Sequence, residues 1–410
     1  MSHRWVVAFS GPRDYYQLPL ALHEADALDR LVTDFYAPDL GPLEGSPLGR
    51  FRHRRVGGLP LGRVRPTPSV LAHRLRMRRA GTRQRVERWD TIDATIARAA
   101  GRRARASGAN LLLYKGYARE AFGLPGLEDR TKGLFVYHPH GEAVRELLAR
   151  DAALYPEVRH SYELHSAEIE ISDSTRLDDE LALADFVVCA SSYTVGTLPE
   201  RLLRARPLIA PYGVFPPTHA RTGSSSTTCT FLFVGQGVQR KGLHHLLRAW
   251  RDVGPRDAEL LIVASGIDPG IESLVSEGVT ILGRQRREEL DALFSRADAF
   301  VMPSLVEGFG LVYLEALAAG CFVIGTRNTG LPDLDLPPWA GVVIDAGDLD
   351  ALGQALVLAR DRHHRRELPH GEIAGLAAGM PWTGFRERIR EICATWDRAG
   401  AAERALAPES

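Results

Sequence analysis

Two glutamates eight positions apart, Glu307 and Glu315, stand in the apolar stretch "EGFGLVYLEALAAG" of residues 307–320. With a helix opening near Gly310, an angular count of about 100° per residue puts Glu315 among Leu311, Leu314 and Ala318. A carboxylate facing inward is costly unless it is paired or hydrogen-bonded. As an acceptor-only group it suits two vicinal hydroxyls, such as a ribose presents. Glu307 precedes the bend, at the carboxyl end of the strand candidate "AFVMPS", where open α/β sheets bind ligands. Gly308 and Gly310 permit close approach of the backbone to a ligand, and N–H groups at a helix start suit a phosphate. A plainer reading competes with this one: a loop acid followed by a helix acid paired with an arginine.

The stretch "FLFVGQGVQRKGLHHLLRAW", residues 231–250, reads as strand, glycine loop, basic pair and amphipathic helix. Arg240 and Lys241 fall just before a helix carrying Leu243, Leu246 and Leu247, so cations and a helix N-terminus converge where an anion can sit. Gly235 and Gly237 are followed by Gly242 with no Lys-Ser or Lys-Thr after it. The stretch is therefore neither a dinucleotide fingerprint nor a P-loop, which argues against hydride transfer and nucleotide hydrolysis of those types.

Positioning such groups takes a large scaffold. At 410 residues and 45% hydrophobic, the chain suits two domains of about 200 residues each with a cleft between them. Short apolar runs alternate with amphipathic stretches, the pattern of α/β units around parallel sheets. The strand candidates of the first half are "RWVVAFS", "LDRLVTDFY", "NLLLYKG", "GLFVYH" and "DFVVCAS". Those of the second are "TFLFVG", "AELLIVASG", "VTILG", "AFVMPS", "CFVIGT" and "GVVID". "YGVFPPTHARTGSSSTTC" between the sets reads as a linker. The expected organisation is a domain at 1–212, a linker at 213–228, a second domain at 229–382, and a final helix with a frayed tail at 383–410 that returns to the first domain.

Fifty-one basic residues balance 51 acidic ones, so no net field favours nucleic acid or a membrane. Only Lys115, Lys132 and Lys241 of the basic set are lysine, a bias that marks surviving lysines for inspection. Arg50 to Arg88 holds thirteen arginines against the single acid Glu87. That segment is either a solvated face or a contact for anionic lipid headgroups or a phosphorylated acceptor; few aromatics interleave it, which disfavours nucleic acid. The cysteines at 189, 229, 321 and 393 have no CxxC spacing, and "RDRHHRRELPH" is too basic to hold a cation, so no metal site is expected. No apolar run approaches a membrane span. A cytoplasmic protein, peripheral on the membrane at most, is the expectation.

The chain resembles the family 4 retaining glycosyltransferases of GT-B fold. The likeness rests on the Glu307/Glu315 pair in "VEGFGLVYLEALAAG", on "FVG" to "RKG" ending in Lys241 and Gly242, and on "TRNTGLPDL", with "ELALADFVVCASSYTVGTL" and "APYGVF" in the first half. It is strong over residues 229–345 and weak over the first 130. It implies two Rossmann-like doubly wound domains facing across a cleft and transfer of a sugar from a nucleotide-diphosphate-sugar, UDP or GDP, to a carbohydrate, lipid-linked or small-molecule hydroxyl. Neither metal nor cofactor is implied. Glu315 would bind the ribose and Glu307 the donor sugar, while Lys241 would neutralise the diphosphate with Arg240, Gly235, Gln236 and backbone at Gly308, Phe309, Gly310 and Leu311. Gln236 departs from the family, which often has arginine there, and Arg240 is the expected compensation.

By the same resemblance a histidine at the end of "GLFVYH" faces the reacting centre: His138, with His140 as the fallback. Gly11, Tyr15, Tyr16 and Gln17 in "SGPRDYYQLPLAL" would line the acceptor side; tyrosines packed beneath a helix start are the plainer alternative. Two further functions stay open, an epimerase acting on the nucleotide-sugar without acceptor and a catalytically silent binder of nucleotide-sugars.

Overall fold

A computed structural model describes residues 4–39, 41, 47–70, 82–171, 174–217, 221, 227–254 and 257–406. Seven strands form one sheet: β1 (Trp5–Ala8), β2 (Leu28–Thr33), β3 (Val64–Pro66), β4 (Asn110–Tyr114), β5 (Lys132–Val136), β6 (Phe186–Cys189) and β7 (Leu208–Ile209). Six form a second: β8 (Cys229–Val234), β9 (Ala258–Val263), β10 (Val279–Ile281), β11 (Ala299–Met302), β12 (Phe322–Thr326) and β13 (Gly341–Ile344). All eleven strand candidates are present. β3 and β7, which were not expected, are three- and two-residue edge strands with too little sequence to show a pattern.

The orders are β3-β2-β1-β4-β5-β6-β7 and β10-β9-β8-β11-β12-β13, and every pairing is parallel. Parallel sheets are covered by helices on both faces, which is why the central strands are unbroken runs of buried Val, Leu, Ile and Phe. In both sheets the order reverses beside the first strand. That reversal opens a crevice at the strands' carboxyl ends, between the loops after β1 and β4 and between those after β8 and β11.

The helices used below are α1 (Gln17–Glu24), α2 (Thr82–Ser107), α3 (Gly141–Leu154), α4 (Leu243–Val253), α5 (Arg287–Arg296), α6 (Leu311–Ala318) and α7 (Trp382–Leu406). α7 crosses back to the first sheet's domain. Arg386 and Arg390 bind Glu24 at 3.0 and 2.9 Å, and Trp396 stacks on Phe186. Between the sheets Val214 bridges to Pro381, while residues 218–220 and 222–226 of the expected linker lie outside the described residues. No helix among the described residues is long and apolar enough to cross a membrane.

Candidate active site

The reversal in the second sheet brings the loops after β8 and β11 side by side, and backbone hydrogen bonds knit them. Leu305 and Val306 N–H donate to the Arg240 carbonyl at 2.9 and 3.3 Å, while the loop after β12 braces the β11 loop, Glu307 N–H donating to the Asn328 carbonyl at 3.0 Å and the Asn328 side-chain amide to the Leu305 carbonyl at 2.8 Å. Lys241 and Glu307 consequently meet: the ammonium bonds Glu307 Oε2 directly, and Arg240 lies 3.5 Å from the same oxygen. Burial raises the Glu307 carboxyl pKa, but Lys241 and then Arg240 outweigh it and bring it down to about 2. Burial lowers the pKa of Lys241 against the opposing pull of Glu307. Two cations around one carboxylate leave an uncompensated positive charge, pre-set for an anion.

α6 starts one step away. Gly310, at φ 89°, is its N-cap, and a β-carbon there would stand 2.7 Å from the Tyr313 ring. The first N–H groups of a helix have no acceptor within it, so they add to the field at the same place. One turn on, Glu315 is indeed paired with an arginine: Arg287 Nη1 reaches Oε1 at 2.6 Å, and Tyr15 of the first domain hydrogen-bonds the same carboxylate. Glu315, Arg287, Leu311, Tyr15, Phe215 and Trp382 line a narrow hollow with about 40 Å³ free.

The first domain closes over the loops. His138, at the end of β5, shares with Gln236 and Arg240 a larger hollow of about 620 Å³. Its Nδ1 must donate to the Pro139 carbonyl at 3.3 Å, so Nε2 carries the lone pair. Burial, then the charge of Lys115, pushes its pKa down to about 3, which keeps the ring neutral. Lys115 itself is pushed down to about 8 by burial, with Glu180 opposing. Lys241 lines neither of these two hollows, and Glu315 lines only the narrow one.

Several expected residues have other work. Gly308 approaches protein, not ligand: a β-carbon would stand 1.9 Å from the Tyr137 carbonyl, and the hydroxyls of Ser191 and Thr194 bond the Gly308 carbonyl. Gly235 donates its N–H to the Val263 carbonyl in the sheet, and Phe309 is buried against Tyr212. Gln236 is exposed and accepts from Arg240 at 2.9 Å. His140 caps α3, accepting from the Glu142 N–H at Nδ1, while its Nε2 meets Asp178 at 2.8 Å, so its ring is committed. Gly11 donates to Asp34, and Gln17 is held by Arg386 of α7 at 2.7 Å. Tyr16 is fully buried against Phe9 and Tyr36, as the plainer alternative expects.

Tyr15 is a different case, because it joins the Glu315 hollow. It belongs to a run of three non-glycine residues in left-handed conformation, Asp14, Tyr15 and Tyr16 at φ 44°, 50° and 62°. Such residues cost roughly 1–2 kcal/mol each. Partly buried Asp14 holds the run in place, accepting from the Tyr114 hydroxyl at 2.7 Å and from Tyr212. Nothing in the residue types announces this; Arg287 was equally silent, one arginine among many and 28 positions from its partner.

Of the arginine-rich segment, Arg52 pairs with Glu288 of the second domain, Arg54 with buried Asp34, Arg55 with Asp39 and Arg63 with Asp26. These four are paired within the chain. Residues 71–81, and the side chains of Arg50, Arg83, Arg85 and Arg88, lie outside the described residues.

Residues 228–362 match the family of group 1 glycosyl transferases. That span contains Lys241, Glu307, Arg287 and Glu315. Curated relatives include the GDP-mannose-dependent monoacylated alpha-(1-6)-phosphatidylinositol monomannoside mannosyltransferase of Corynebacterium glutamicum, 33% identical over 189 residues, 43% of this chain and 49% of that protein. The GDP-mannose-dependent alpha-(1-6)-phosphatidylinositol monomannoside mannosyltransferase of Mycolicibacterium smegmatis is 38% identical over 136 residues, 29% of this chain and 35% of that one. The chain thus spans about half or less of the relatives it matches. Sucrose-phosphate synthase from Thermosynechococcus elongatus superposes with a TM-score of 0.65 at 20% identity, covering 97% of this chain and 100% of that one. The catalytic domain of starch synthase IV from Arabidopsis thaliana, bound to ADP and acarbose, gives 0.65 at 13% identity with the same coverage. At such identities the likeness speaks for the fold alone, the two-domain GT-B arrangement.

Proposed function

We propose that this chain is a family 4 retaining glycosyltransferase that moves a hexosyl group from a nucleotide-diphosphate-sugar to an acceptor hydroxyl, with no metal at the diphosphate and no other cofactor. The meeting of Lys241, Arg240 and the start of α6 at the sheet's reversal carries this reading. Glu315 lies four residues beyond Leu311, a rise of about 6 Å along the helix, comparable to the separation of a nucleotide's ribose hydroxyls from its phosphates. The diphosphate would take Lys241 and Arg240 from Glu307, releasing that carboxylate towards the donor sugar. Neutral His138 would accept a sugar hydroxyl at Nε2. The bond between the anomeric carbon and the diphosphate breaks while the acceptor oxygen attacks the same face, and its proton passes to the leaving phosphate oxygen. Preset cations at the leaving group are the kind of term that dominates such catalysis.

The named activities of the mannosyltransferase relatives support GDP-mannose as the first donor to try and a lipid-linked acceptor as the first acceptor, with UDP-sugars next. Contact of residues 50–88 with an anionic membrane surface belongs to the same proposal.

Calorimetry with GDP and UDP on the parent chain and on Glu315→Ala tests the site. One nucleotide should bind, and the substitution should weaken it by about 100-fold, the loss of two charge-assisted hydrogen bonds. Unchanged affinity would remove the ribose role. Turnover of the sugar moiety without any acceptor would point to the epimerase instead.

A further inference from the structure

Asp151, His244 and His245 form a buried cluster for which sugar transfer has no use. Asp151 lies in the last turn of α3, from the first domain, and the histidines in the first turn of α4, three and four residues after Lys241. Their exposures are 6, 0 and 1%. Asp151 Oδ2 stands 3.1 Å from His244 Nε2, and Oδ1 2.8 Å from His245 Nε2. The three ligand atoms all lie within 4.8 Å of one another. Donors about 2.0–2.1 Å from a tetrahedral zinc ion are roughly 3.3 Å apart, so the spacing of the cluster fits one ion.

Two observations weigh against a plain hydrogen-bonded triad. His245 Nε2, although close to the carboxylate, is not aligned to donate to it, and it is left buried with no hydrogen-bond partner, as are both Nδ1 atoms and Gln239 Oε1. Buried orphans of this kind cost about 1–3 kcal/mol each. Only His244 Nε2 among the four ring nitrogens has a hydrogen bond to Asp151, and ring nitrogens left without protons to accept or acceptors to meet are available to an ion. Asp151 accepts from the Gln239 side-chain amide at 2.8 Å and meets His244 Nε2, but no lysine or arginine is paired with it among the described residues, while Glu157, the other acid acting on His244, is paired with Arg248 at 2.6 Å. The one other such cluster among the described residues, Cys229, Asp298 and His363, has Arg221 at 3.1 Å from Asp298, where a metal would be repelled.

We propose that Asp151, His244 and His245 bind one zinc(II) ion, with Gln239 Oε1 or water completing the shell, as a structural clamp between the two domains. Two imidazoles and a carboxylate match the donor preference of zinc. The ion ties α3 to the start of α4, next to the Arg240–Lys241 loop, and has no part in the transfer chemistry.

The test uses the full chain without a histidine tag, purified after growth with added zinc and dialysed against metal-free buffer. Elemental analysis should find about one zinc per chain, and under about a tenth of that in Asp151→Asn and in the double variant His244→Gln/His245→Gln. A chelator should lower Tm of the parent chain and zinc restore it, with neither acting on the variants. Cobalt(II) should give visible d–d absorption in the parent only. Should the double variant fail to fold, the near-isosteric Asp151→Asn still reports. A parent chain that takes up no stoichiometric zinc on direct titration, and whose Tm ignores the chelator, overturns the proposal. These readouts need neither donor nor acceptor, so they stand apart from failure of the glycosyltransferase reading.

Discussion

Replacing Lys241 by methionine separates a lysine that acts on a leaving diphosphate from one that only neutralises Glu307. In the unliganded protein the cluster holds two cations and one carboxylate, and Arg240 stays 3.5 Å from Glu307 after the change. No bare buried charge results, so the stability cost should be about 1 kcal/mol, well under the roughly 3–5 kcal/mol of an orphaned ion. Catalysis is affected more. The leaving diphosphate gains about one unit of negative charge as the glycosidic bond breaks, and a unit pair at about 4 Å with an effective dielectric of 20 is worth about 4 kcal/mol. A kcat lower by about 100- to 1,000-fold is expected in Lys241→Met, with GDP weakened more than the intact donor because it carries the additional charge. Steady-state kinetics and calorimetry read both. The decisive comparison is Lys241→Met/Glu307→Gln with Glu307→Gln alone: if the lysine serves only to offset the glutamate, the two share one kcat, and the reasoning fails.

Asp93 provides a pH prediction from a group away from the donor loops. Burial, opposed by Arg176 and Arg13, pushes its carboxyl from 3.8 up to about 7, and its Oδ1 has no hydrogen-bond partner. A raised acid favours the fold while protonated: its contribution is complete below about pH 4 and lost as pH rises through 7, up to about 4 kcal/mol. Asp93→Asn should therefore raise Tm at pH 8 and change it little at pH 4; equal effects at both would exclude the linkage. For residues 50–88, co-sedimentation with anionic vesicles should weaken from low to high salt, and binding indifferent to salt would remove the membrane proposal.

What was legible in the sequence follows from the range of the interactions concerned. Strands of the second sheet are apolar runs bounded by glycine or polar loops, and the start of α6 at Leu311 follows from the Gly-Phe-Gly bend, both local patterns. The meeting of Lys241 with Glu307 is 66 positions long, yet it follows from strand order alone, because a reversal between β8 and β11 forces their loops together. Pairings set by one side chain out of many equivalents were not legible. Arg287 reaches Glu315 through a turn of α5 that any arginine there would share, and His138 differs from His140 only in which one ends up capping α3. The place of Tyr15 depends on how the two domains sit, which no local pattern specifies.

That place bears on how a nucleotide would enter. With about 40 Å³ free beside Glu315, the narrow hollow admits little more than one water, far less than a ribose. Under the proposed function Tyr15 and Arg287 therefore stand in for the ribose, satisfying a carboxylate that would otherwise be a half-buried, unpaired charge. Tyr15 also packs edge-on against Phe215 and Trp382, at 5.1 and 5.8 Å. The strained run anchored to the first sheet through Asp14 and Tyr114 fixes its backbone, and a rotamer change that leaves Glu315 forfeits both ring contacts. Opening of the cleft is then the route that frees Glu315, and nucleotide binding and domain motion become one step: the ribose is bound as the first domain lets go.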